Sequence, residues 1–213
     1  RGGEGRGSAS DLRAWPIRGL VWHAVGRFGQ HGPVTILVDE AIWPWRGGRW
    51  AHLVSDDNIA ELHEFGRRLG LRRMAFQGDH YDVPEDVRAE ALALGAEAVR
   101  GRDLVRRLRA AGLRLAAVDR PGRWEPTGTW PASGLIPDLA TAAPAPLVEA
   151  FGRCVQADWA SASTAAFRRS SESAVVVEDG GGLALVGRLP EGVEARCSTG
   201  RVLELLVYEV RGS

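Results

Sequence analysis

From residue 34 to residue 118 short apolar runs of strand length alternate with stretches whose apolar residues recur at helical spacing, and this alternation restricts the fold more than any other feature. VTILVD (34–39) is a β-branched run bounded by Gly32-Pro33, which predicts a first strand. Ser55 and the DDNIAELHEFGRRLG that follows carry a capping serine, acids in the first turn, Ile59, Leu62, Phe65 and Leu69 on one stripe, and Gly70 as terminator. LRRMAFQ (71–77) then reads as a second strand and PEDVRAEALALG (84–95) as a second helix. AEAV (96–99) reads as a third strand, RDLVRRLRAAG (102–112) as a third helix and LRLAAV (113–118) as a fourth strand. Such an order predicts right-handed βαβ units on a parallel sheet, hence a small three-layer α/β domain over 34–118. Ligands of such domains bind beyond the carboxyl ends of the strands, where helix N-termini point.

The flanks read differently. Residues 1–33 hold Trp15, Trp22, His23 and His31 but no sustained periodicity, which predicts a disordered or non-native tail. Residues 119–146, rich in Pro and Ala, read as a linker or a clamp over the first domain, and 147–213 as a small α+β segment. Within the latter, 147–167 is expected to be helical, AVVVEDGGGLALVG a hairpin with Asp179-Gly180 near its turn, and 201–210 a last strand.

Charge gives little direction, since 27 basic residues balance 27 acidic ones. Every basic residue is Arg, a mark of base composition more than of guanidinium chemistry. No apolar stretch approaches the roughly 20 residues of a membrane span, and no cleavable leader is visible, so a cytoplasmic location is expected. Cys154 and Cys197 lack a Cys-x-x-Cys partner and are expected to be free thiols.

On a parallel sheet several acids and imidazoles would meet at one rim: Asp39 after the first strand, His52 and Asp56 around the first helix start, and Asp79, His80 and Asp82 in GDHYDVP. These residue types suit a divalent ion, with Asp39, Asp79, His80 and Asp82 as ligands and His52, Asp56 and His80 as catalytic groups. A plainer reading makes Asp82 a helix cap, with Glu85 completing a capping box, and makes Asp79 and His80 a loop brace. His63 lies seven residues beyond Asp56, roughly 10.5 Å along a helix, and reads as a hydrogen-bonded histidine at the edge of the core. In WPWRGGRWAH (43–52), Arg46 and Arg49 could grip phosphate while Trp43 and Trp50 stack on a base, with Tyr81 as a further substrate contact. The alternative is an aromatic-packed loop over the sheet. The arginines of the third helix read as a solvated face, and Walker, dinucleotide-fingerprint and Ser-His-Asp motifs are lacking.

With VDEAIWPWRGGRWAHLVSDD, ELHEF, GDHYDVP and RDLVRRLRAAGLR in view, residues 34–115 resemble a bacterial and phage family catalogued as domain of unknown function 4031. The matching positions are Asp39, Trp43, Arg46, Trp50, His52, Ser55, Asp56, Glu61, His63, Asp79, His80, Tyr81 and Asp82. The resemblance implies a start at the strand beginning with Val34 and no activity that can be carried over. Two readings follow. The first is a metal-dependent hydrolase acting on a phosphate-bearing or nucleotide substrate. The second is a non-catalytic module that binds a nucleotide, nucleic acid or a protein through the Trp-Arg loop.

Overall fold

The computed structural model describes residues 35–45, 47–198 and 200–208. The N-terminal tail expected over 1–33 and the side chain of Arg46 lie outside them. The first half builds β1 (Ile36–Val38), β2 (Trp43–Trp45), β3 (Gly48–Ser55), α1 (Ile59–Arg68), β4 (Tyr81–Pro84), α2 (Glu85–Ala93), β5 (Glu97–Ala98) and α3 (Gly101–Ala110). Strand β3 is the spine of its sheet: β2 and then β1 pair along one edge, β4 along the other, and β5 joins β1. The α/β class holds, but the sheet is mixed, because only β1 and β5 run parallel and the pairings with β3 are antiparallel.

The physical reason lies in two stretches that differ from expectation. WPWRGGRWAH is a hairpin that sends β3 back beside β1, with Gly47 in the left-handed region at φ 76°. LRRMAFQ forms no strand: residues 73–75 make a single 3-10 turn whose Met74 packs against Ala174, Val176 and Leu206 of a second sheet. The edge of β3 is taken instead by β4, whose sequence alternates His80, Tyr81, Asp82, Val83 with Tyr81 and Val83 fully buried. LRLAAV likewise makes no strand, only a 3-10 turn at Ala117–Asp119.

Three layers result. Ile36, Val38, Ala51, Leu53, Tyr81 and Val83 face α1 and α2, while Leu37 and Val54 face Leu104 and Leu108 of α3. Helix α1 starts at Asn58, whose side chain accepts the Glu61 amide at 2.8 Å. Ser55 sits earlier, accepting the amides of Asp57 and Asn58 and donating to Glu61 at 2.6 Å, so it braces the approach rather than capping the helix.

The second half gives β6 (Glu125–Trp130), α4 (Ala145–Cys154), β7 (Val155–Gln156), β8 (Ser163–Arg169), β9 (Glu172–Glu178), β10 (Ala184–Leu185), β11 (Val193–Ser198) and β12 (Val202–Tyr208). An antiparallel sheet runs β11-β12-β9-β8-β6, so the proline-rich stretch supplies its edge strand. The stretch 147–167 is helical only to Cys154, and AVVVEDGGGLALVG is no hairpin, since β9 pairs with β8 and β12 while β10 pairs with β7. Helix α4 covers one face of this sheet through Leu147 and Phe151; the other face receives Met74. Glu204, 1 % exposed, anchors that junction by accepting from Arg72 Nε at 3.0 Å and from the Arg73 amide at 2.6 Å. Cys154 and Cys197 are free thiols. No helix among the described residues is long and apolar enough to cross a membrane.

Candidate functional site

Antiparallel pairing sets three polar residues in a row across the sheet. His52 is the register partner of Asp82 on β4, and the Asp39 amide donates to the His52 carbonyl at 3.2 Å. Strand alternation puts His80, two residues before Asp82, on the same face. It is the α3 face, at the end of the sheet where Leu37 gives way to Asp39 and Val54 to His52.

Each imidazole is held by its own buried carboxylate. Asp39 accepts the His52 amide through Oδ1 at 2.6 Å and the His52 ring through Oδ2, 2.8 Å from Nδ1. Asp79, fully buried, binds His80 Nδ1 through Oδ1, while its Oδ2 accepts Arg114 and the Leu115 amide, each at 3.0 Å. An ionised carboxylate can only accept, so both Nδ1 atoms carry the proton and both Nε2 atoms face away from their acids. They face Asp82: its Oδ1 lies 3.5 Å from His80 Nε2 and 3.9 Å from His52 Nε2. The two rings meet edge to face with centroids 5.2 Å apart.

Among the described residues, His52, His80 and Asp82 form the group with metal-ligand spacing, one ligand atom from each lying within 4.8 Å of the others. Two ligand atoms about 2.1 Å from one ion at tetrahedral angles lie about 3.4 Å apart, so the Asp82 pairs at 3.5 and 3.9 Å are close to that spacing and the whole set, within 4.8 Å, would close by at most about 1.4 Å to share one. Asp39 and Asp79 are placed differently from the expectation that they are ligands: their oxygens are already occupied, and they orient the imidazoles, as outer carboxylates do in carboxylate-histidine-metal arrangements.

Electrostatics bind the group together. Burial opposes the charged forms of Asp79 and Asp82, but the hydrogen bonds and charge of His80 outweigh it and lower both carboxyl pKa values, with help from Arg114 and the Leu115 amide at Asp79 and from His52 and Arg120 at Asp82. Burial likewise disfavours His80 protonation, yet its bonds to Asp79 and Asp82 raise its pKa above 6.5.

The remaining expected residues disperse. Asp82 is no helix cap: it lies within β4, and α2 starts at Pro84 without a side-chain cap. Asp56 sits four residues from His52, about 13 Å along the strand, and is engaged by Arg107 at 2.5 Å. Tyr81 points to the opposite face, fully buried, with its hydroxyl 3.0 Å from His63 Nδ1. His63 is thus the hydrogen-bonded residue at the core that its spacing suggests; burial, then Arg73 and Arg196, lower its pKa to about 3. Trp43 does reach the site: it is 53 % exposed, with its ring centroid 5.8 Å from that of His52. Trp50 packs on Trp45 and donates to its carbonyl at 2.9 Å, and Arg49 borders a shallow concavity with Trp45 and Glu85. Sequence reasoning missed Arg88, which donates to the Asp39 carbonyl at 2.5 Å, and Arg114 and Arg120; no local pattern marks them.

Residues 36–111 match the family model described as protein of unknown function, DUF4031. The resemblance read from the motifs therefore holds over a segment that runs from β1 to just past α3. It contains His52, His80, Asp82, Asp39 and Asp79 but stops before Arg114 and Leu115. No curated protein and no solved structure matches the chain.

Proposed function

We propose that this protein is a metal-dependent hydrolase of phosphate-bearing substrates, with His52, His80 and Asp82 as the ligands of one divalent ion. The observation that carries the reading is the convergence of two carboxylate-oriented Nε2 atoms on one carboxylate oxygen. Two imidazoles and one carboxylate favour a transition metal such as zinc or manganese over calcium or magnesium, which take oxygen ligands. Such an ion would acidify a bound water and polarise a phosphoryl oxygen. The chain's own residues do the rest: Asp39 and Asp79 fix ring orientation and tautomer, Arg120 and Arg88 place positive charge beside the acids, and exposed Trp43 offers a stacking surface.

Elemental analysis of the purified protein, followed by zinc and manganese titrations and a phosphoesterase and nuclease panel, tests this. Metal bound at one equivalent and lost in His80→Ala and Asp82→Asn, together with hydrolysis that follows the metal, is the expected result. A protein that takes up no transition metal and hydrolyses nothing would overturn it. The second reading, a non-catalytic module, draws on the exposed indoles of Trp43 and Trp45. It requires that ligand affinity survive the loss of His80 and Asp82 and fall with Trp43→Ala.

A further inference from the structure

The tryptophan hairpin and the proposed ion site lie on one face of the same sheet. Trp43 is the register partner of Trp50, Trp45 that of Gly48, and Trp50 precedes His52 by two residues on β3, so the three indoles share the face of His52. The rings follow one another outward from the site. His80 and His52 have centroids 5.2 Å apart, His52 and Trp43 5.8 Å, and Trp50, beside Trp43, stands 4.7 Å from Trp45. Trp50 Nε1 donates to the Trp45 carbonyl at 2.9 Å, which fixes the outer pair. Helix α3 covers this face at Leu37 and Val54, whereas at the hairpin Trp43 and Trp45 are 53 and 51 % exposed. Large rings clustered in water on a paired pair of strands mark an interaction surface.

We infer that the substrate is single-stranded nucleic acid, its bases stacked on Trp43 and Trp45 and one phosphodiester held at His52, His80 and Asp82, an inference that rests on the hydrolase reading. The contact of Trp43 with His52 puts whatever lies on the indoles beside the ion, which favours a phosphodiester strand over a protein partner. Spacing favours an unpaired strand. Alternate residues of a β-strand stand about 6.8 Å apart. That is about twice the 3.4 Å between stacked bases along one strand, so successive bases reach successive indoles only when unstacked. A duplex keeps its bases stacked on one another, and a mononucleotide has one base to offer. Arg120 adds positive charge beside Asp82 for the backbone. In the reaction the oxygen of water adds to phosphorus as one P–O ester bond breaks; one proton ends on the freed hydroxyl and the other in solvent.

Quenching of tryptophan fluorescence in the full chain by hexathymidylate, thymidine monophosphate and a short duplex, in EDTA at constant ionic strength, measures binding without metal. Manganese or zinc is then supplied, and cleavage of hexathymidylate is followed beside that of bis-p-nitrophenyl phosphate, a diester that carries no base. Hexathymidylate is expected to bind at least tenfold more tightly than the monophosphate or the duplex, and to be cut. Loss of one stacked base predicts that Trp45→Ala weakens hexathymidylate by about 5- to 150-fold. Trp45→Phe, which keeps a ring, is expected to restore most of that loss. Should Trp45→Ala fail to fold, the comparison of hexathymidylate with monophosphate and duplex decides. If the small diester is cut but hexathymidylate binds no better than the monophosphate or the duplex, or binds Trp45→Ala as tightly as wild type, the inference is overturned and the hydrolase reading stands. If neither diester is cut, both fall.

Discussion

Replacing Asp79 by Asn changes one oxygen to an amide nitrogen and tests the role assigned to the buried acids. Asp79 accepts on both oxygens, from His80 Nδ1 on one side and from Arg114 and the Leu115 amide on the other. Asn has a single acceptor. If its oxygen stays with Arg114 and Leu115, its NH₂ group faces His80 Nδ1, which must then accept, and the imidazole proton moves to Nε2. The variant weakens two charge-assisted interactions worth about 1.5–3 kcal/mol each; with Arg114 partly solvated, the expected loss of stability is about 2–4 kcal/mol. At about 2–4 °C per kcal/mol for a chain of this size, that lowers the melting temperature by about 4–16 °C. With the Nε2 lone pair gone, zinc affinity should fall about 10- to 100-fold, the range found when an outer partner of a metal-bound histidine is removed. Urea unfolding with and without zinc measures both effects, and long-range ¹⁵N correlation spectra report the tautomer. If Asp79→Asn keeps wild-type zinc affinity with the His80 proton still on Nδ1, the orienting role is wrong.

Other expectations can be checked alongside. Glu204→Ala leaves the Arg73 amide unbonded and Arg72 with Glu178 alone, 3.6 Å away, and should cost about 3 kcal/mol in urea unfolding, near the lower end for a broken buried pair because Arg72 is partly exposed and keeps one acid. Tyr81→Phe removes only the hydroxyl, which bonds to His63 and also meets Arg196, so it should lower stability by about 1 kcal/mol and leave metal and substrate affinity unchanged. His63 has a folded-state pKa near 3 against 6.5 for a free imidazole, so between those values the unfolded chain binds a proton that the native one does not. Stability conferred by the neutral ring is complete above pH 6.5 and falls as pH drops. After allowance for partial exposure, about 1–2 kcal/mol should go between pH 6.5 and 4.5, and this slope should be absent from His63→Phe in the same unfolding assay.

Helices α1 and α3 were legible because their apolar residues keep a 3.6-residue period, and α2 because Pro84 and the acids after it mark a start and Gly95 a stop. LRRMAFQ misled because Met74 is apolar for the benefit of Ala174, Val176 and Leu206, on strands of a sheet far along the chain, and a local window holds no such information. Strand β4 did leave a signal, the alternation His80, Tyr81, Asp82, Val83, but Asp82-Val83-Pro84-Glu85 also fits a helix start. Once β4 is seen as a strand, Tyr81 must turn away from its polar neighbours. For the site, sequence named His52, His80 and Asp82 but could not tell an acid that faces two imidazole Nε2 atoms from one saturated by main-chain and arginine donors. That distinction separates Asp82 from Asp39 and Asp79, and it rests on burial and on distant donors such as Arg114.

Gly78 stands at φ 96°, and a methyl group there would lie 2.7 Å from Pro121 and 2.8 Å from Leu115. The strand that follows Gly78 is thus clasped by a stretch downstream of the segment that matches the family model. A truncated piece ending at residue 111 would strip Asp79 of Arg114 and Leu115 and leave Arg72 without Glu204. Where similarity draws a boundary, charge neutrality does not, and any surgical dissection of this protein should follow the ions.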